Sequence, residues 1–105
     1  MVLMDGLKAI ANPTRLRILE LLRDPARFEG PREPDGRAIG VTAKAILPYV
    51  GITQASLNEQ VAILVKNGLV ESRRVGRWVV YTRDEERIRQ LKQTIIDQLL
   101  PPAGT

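Results

Sequence analysis

Along this 105-residue chain, apolar side chains recur three and four positions apart in five stretches, and two adjoining runs between them are β-rich. Leu3, Leu7 and Ile10 share one side of a short helix over residues 3–11, weakened by Gly6. Asn12-Pro13 is a start signal, because Asn caps free N–H groups and Pro is preset for the first helical position. The helix that follows, Thr14 to Arg23, spreads Leu16, Ile18, Leu19 and Leu22 over a broad apolar face, and Asp24-Pro25 ends it. Residues 24–41 hold three Pro, three Gly and seven charges, which favours a solvated spacer loop over a binding lobe, with a small strand at 38–41.

Thr42 caps the next helix, Ala43 to Val50, where Pro48 removes a backbone donor and predicts a short, kinked or early-ending element. Gly51 makes a turn and Thr53 caps a helix from Gln54 to Asn67, stopped by Gly68. Leu57, Val61, Leu64 and Val65 form its buried stripe, leaving Gln54, Ala55, Asn58, Glu59 and Ala62 on the open side. Leu69–Val75 and Trp78–Arg83 read as strands joined by a tight turn at Gly76-Arg77. Asp84 caps the last helix, with Glu85 and Glu86 in its first turn, where the helix dipole favours negative charge. Ile88, Leu91, Ile95 and Leu99, with Ile96, form its apolar set, and Pro101-Pro102 stops it.

A helix, a turn, a second helix and a hairpin with arginines at its tip define the fold class: mainly α with a small β-hairpin (α+β). This is a winged helix-turn-helix of five helices plus a two-stranded wing. We read residues 1–105 as one domain, with the helix-turn-helix over 42–67 and the wing over 69–83. That architecture docks on duplex DNA.

Composition narrows the chemistry. With no Cys and no His, the chain has no disulfide framework, no thiolate or imidazole metal ligand and no usual general base. No nucleophile–base grouping or phosphate-binding glycine loop stands out, so an enzyme is not expected, nor is a cofactor. No apolar run reaches the ~20 residues of a membrane span, and the N-terminus lacks a signal-peptide layout, so the expected location is the cytoplasm, with no membrane partner. The net charge is +4, and residues 42–83 alone carry six cations against Glu59 and Glu71. That is where a docking surface for DNA would need them.

The phrases LKAIANPTRLRILELL (7–22), ITQASLNEQVAILVKNGLVESRRVGRWVVYT (52–82) and DEERI (84–88) resemble the ArsR/SmtB family of dimeric winged-helix repressors. The resemblance implies a homodimer built from the first and last helices (1–11 and 84–100), a recognition helix at Gln54 to Lys66, and a wing tip at Val75 to Trp78. It places Leu3, Leu7, Ile10, Ile88, Leu91, Ile95 and Leu99 at the dimer interface. Metal sensors of the family use Cys or His pairs, which this chain lacks. Asp84, Glu85 and Glu86 fit a dipole cap better than a carboxylate metal site.

A second departure lies in the recognition helix, where the family's basic run is replaced by Asn58-Glu59-Gln60-Val61-Ala62. Gln54, Ser56, Asn58, Glu59 and Gln60 are the expected helix contacts, with Gln and Asn suited to adenine. A Glu facing DNA is repelled by phosphates unless it accepts from a cytosine amino group. Arg73, Arg74 and Arg77 suit phosphates or an adjacent minor groove, and are expected to supply most of the affinity of the 41–83 stretch, while the polar helix supplies selectivity. Trp78 and Tyr81 alternate along a strand, so at least one should pack beneath the wing.

The function expected is a dimeric repressor on an inverted-repeat operator, answering to a small molecule, a partner protein or no effector. The competing reading is a winged-helix protein-interaction module with weak or lost DNA binding, motivated by Glu59.

Overall fold

Four of the helix starts are fixed by side chains that accept from the first free backbone N–H groups. In the computed structural model, which describes residues 3–101 and side-chain surroundings from Asp5 onward, Asn12 Oδ1 accepts from Arg15 N at 3.0 Å. Thr42 and Thr53 do the same for Ala45 N and Ser56 N, and Asp84 for Arg87 N. The resulting order is α1 (Leu3–Ile10), α2 (Pro13–Leu21), a 3-10 turn (Pro25–Arg27), α3 (Ala43–Val50), α4 (Gln54–Lys66), β1 (Val70–Val75), β2 (Trp78–Arg83) and α5 (Glu85–Leu99). Among these described residues, no helix is long and apolar enough to cross a membrane.

The core lies where α2, α3 and α4 converge, with Ile18, Ile46, Leu57, Leu64 and Leu69 fully enclosed. β1 and β2 pair antiparallel from Val70↔Arg83 to Val75↔Trp78. Gly76 takes φ +59 while Arg77 stays negative, as a type II′ hairpin turn requires of its first and second central residues. Val41 adds an isolated bridge to Tyr81 on the other edge of β2.

Helix α3 keeps its expected bounds, Ala43–Val50, and is short, closing at Gly51, φ +76. Pro48 lies in the last turn of this eight-residue helix, so only the bond back to Lys44 is lost. Other expectations are corrected. Residues 24–41 are more than a solvated spacer. Phe28 is buried and meets Tyr49 edge-on at 5.8 Å, Arg32 bridges Ala38, and Gly40 lies so close to Val80 that a Cβ there would sit 2.9 Å from its Cβ. Leu16, expected in the apolar face of α2, is 47% exposed, and Leu21 takes the inward place instead.

Candidate nucleic-acid interface

At 100° per residue, burying Leu57, Val61 and Leu64 of α4 forces Ala55, Asn58, Glu59, Ala62 and Lys66 onto the opposite face. All five are exposed. Gln54, also exposed, donates from Nε2 to Asn58 Oδ1 at 3.1 Å, so the two amides form one unit along the helix. Two alanines on this face leave room for close approach of another surface. Ser56 and Gln60 stand apart. Both are half-buried, and Gln60 Oε1 accepts from Arg15 Nη1 at 2.8 Å.

On the wing, side chains alternate between faces, which separates the three arginines. Arg74 shares a face with Ser72, Val79 and Tyr81; Arg73 shares the other with Val80 and Trp78. Tyr81 and Ser72 line a cleft with Asn58, Ala62 and Lys66, so Arg74 is on the face that continues the open side of α4. Arg77 occupies the turn, and all three arginines are exposed. Tyr81 packs against the core while Trp78 is 39% exposed, so one of the two aromatics lies beneath the wing.

The basic character of the region shifts accordingly. Lys44 on α3 and Lys66 on α4 are exposed, and neither had been singled out as a contact. Arg83, counted with the docking charges in the sequence, is turned inside: its Nη1 donates to Leu19 O at 3.2 Å and its Nε lies 2.8 Å from Glu85 Oε1. Arg15, half-buried, likewise spends its guanidinium within the chain, and no local pattern in the sequence marked it beyond its place three residues after a helix cap. The acids that open α5 are all engaged in the chain: Asp84 as the cap, Glu85 with Arg83, Glu86 with Arg89.

The expected dimer residues divide. Leu91 is 4% exposed within a single chain, and Ile10, Ile88 and Ile95 pack partly against the same core, because α5 lies along α1. Leu7 is half-buried. The side chain of Leu3 falls outside the described residues. Leu16 and Ile96 flank an apolar groove of about 350 Å³ between α2 and α5, and Leu99 and Leu100 beyond it are 76% and 60% exposed. The α5 stripe therefore begins as core and ends as open surface.

A family model described as a helix-turn-helix domain matches residues 10–73. The chain is 38% identical over 85 residues to the uncharacterized HTH-type transcriptional regulator YbzH of Bacillus subtilis (strain 168), covering 80% of this chain and 85% of that one. The homodimeric winged helix-turn-helix DNA-binding domain of Mb0332 from Mycobacterium bovis, a possible ArsR-family transcriptional regulator, is 30% identical. It superposes with a TM-score of 0.60 over 90% of this chain and 78% of that one. The ArsR-like transcriptional regulator from Rhodococcus sp. RHA1 shares the fold at a TM-score of 0.68 and 21% identity, over 92% of this chain and 77% of that one. The chain belongs to the helix-turn-helix transcriptional regulators, as a winged helix-turn-helix protein of ArsR type.

Proposed function

We propose that two copies of this chain bind an inverted-repeat operator in the cytoplasm and repress transcription by occupying it. The observation that carries the reading is the continuity of one exposed surface: the polar, alanine-spaced face of α4 leads onto the Arg74 face of the wing. In this arrangement Gln54, Asn58 and Glu59 meet base edges, while Ser56 and Lys66 flank them. Arg74 and Arg77, with Arg73 on the far face, meet phosphates beside the groove. The second copy covers Leu16, Ile96, Leu99 and Leu100, whose exposed side chains gather along and beyond one apolar groove. A two-fold protein then presents two recognition helices to two half-sites.

An effector, if one acts, is a small molecule or a protein rather than a soft metal, since the chain has neither Cys nor His. Electrophoretic shifts and footprinting on DNA upstream of its own gene test the reading, with an Arg74→Ala, Arg77→Ala variant alongside. Protection of a two-fold symmetric site that weakens in the variant is the expected result. Tight binding indifferent to both arginines would remove the wing assignment.

The exposed Glu59 favours one second reading, a protein-interaction module without DNA affinity. Under it the parent protects no site and Glu59→Arg creates binding that the parent lacks.

A further inference from the structure

Gln60 is on the proposed recognition helix, yet its amide oxygen is turned inward, to the protein. Its Oε1 accepts from Arg15 Nη1 at 2.8 Å, across 45 residues of sequence. The same guanidinium donates through Nε to Ala9 O at 2.6 Å and through Nη2 to Lys8 O at 2.9 Å. Those carbonyls lie in the last turn of α1, where helical acceptors have no partner of their own. Ala9 O could not find one further along in any case, because the residue four positions on is Pro13, which has no N–H. Arg15 is thus a fork standing on α2, with two tines closing α1 and a third holding α4. Only an arginine offers donors in that fixed plane.

Helix α1 packs on α5, the helix whose outer half carries the exposed leucines. The recognition helix is therefore tied, through one guanidinium, to the end of a helix that borders the surface between copies. Both ends of the tie are half-buried, so it is charge-assisted and partly shielded from water.

We propose that Arg15 and Gln60 form a positioning strut that sets the tilt of α4 against the dimer helices, and through it the half-site spacing the dimer accepts. The inference rests on the dimeric DNA-binding reading above. Thirteen helical residues span about 20 Å, so a tilt of about 10° around mid-helix Gln60 moves each end by about 1.7 Å, and the two helices of a dimer together by about 3.4 Å, one base-pair step. A strut in the middle of α4 governs a motion of that size. Gln60 is then a positioning residue, and base reading belongs to Gln54, Asn58 and Glu59.

The test begins by enriching duplexes from a randomised pool with the full-length parent protein. Affinities are then measured for three probes: the enriched inverted repeat, the same repeat with its spacer lengthened or shortened by one base pair, and an isolated half-site. Gln60→Ala should bind the half-site as the parent does and with unchanged base preference. Its discrimination between spacers should fall by about tenfold, the scale of one hydrogen bond to a charged group. Gln60→Glu, whose carboxylate accepts from the same fork, should restore discrimination. Dimer mass and melting temperature of each variant are followed in parallel, and Arg15→Lys should reproduce the loss because a single ammonium cannot span three acceptors.

Retained discrimination in Gln60→Ala would overturn the strut. A changed base preference at one half-site position would overturn it in favour of direct reading by Gln60. A parent that enriches no inverted repeat would instead remove the dimeric reading, and the strut with it.

Discussion

Replacing Arg74 and Arg77 by alanine should change the salt dependence of DNA binding more than it changes the protein. Both side chains are exposed, and the one internal bond at stake is Arg74 Nε to Gly76 O at 3.3 Å. The stability cost should therefore stay within about 0.5 kcal/mol, as for surface substitutions generally. A dimer loses four guanidinium groups in the double variant. Each phosphate contact contributes about 0.9 to the slope of log K against log salt, so the slope should flatten by about 3.6. Raising monovalent salt from about 50 to about 200 mM would then erase roughly a hundredfold of the parent's advantage over the variant. Fluorescence anisotropy of a labelled operator duplex across a KCl series reads the slope directly. Arg73→Ala serves as the internal comparison: it shares the Val80–Trp78 face, away from α4, and should flatten the slope less than Arg74→Ala. Parallel slopes for parent and double variant would show that the arginines touch no phosphates, and a larger effect from Arg73 would show that the wing docks by its other face.

Four further outcomes follow from packing. Leu99→Asp, at a site 76% exposed in the single chain, should leave the fold intact and yield monomers in sedimentation velocity, whereas Leu91→Ala removes core and should cost about 2–5 kcal/mol in urea denaturation. A dimer unmoved by Leu99→Asp would place the interface elsewhere. Gly68→Ala should destabilise by roughly 1–2 kcal/mol, because the residue ends α4 at φ +74 and a Cβ there meets Arg87 Nη1 at 3.0 Å; an unchanged denaturation midpoint would refute the left-handed cap. Arg83→Ala should cost about 1–3 kcal/mol by stranding Leu19 O, yet leave the slope of binding against salt unchanged, and a flattened slope would mean that Arg83 faces DNA after all.

The fold was legible where its signals are local. Asn12, Thr42, Thr53 and Asp84 each accept from a backbone N–H three residues on, so four helix starts could be read from a cap and the residues beside it. Gly76-Arg77 likewise specified the hairpin without reference to anything distant. Periodicity shows which side chains share a face, but not what covers that face. Leu91 and Leu99 belong to one helical stripe, yet the first is core and the second open, because α1 runs beneath only part of α5. The order in the insert after α2 is hidden in the sequence for the same reason: Phe28 is buried in the core, with Tyr49 edge-on to it, and composition could not bring those partners together.

Charge was the least legible quantity, because a sequence assigns an arginine to a stretch and only the fold assigns it to a surface. Arg83 lies in the most basic stretch and is spent on Leu19 O and Glu85; Arg15 lies outside it and reaches the recognition helix from within. On the proposed reading, each of the two elements that face DNA, α4 and the wing, is thus held by an arginine turned toward the protein. On that reading Arg74 and Arg77 meet phosphates, while Arg15 and Arg83 hold the elements that carry the contacts. Salt dependence registers the first group, and spacing discrimination and stability register the second.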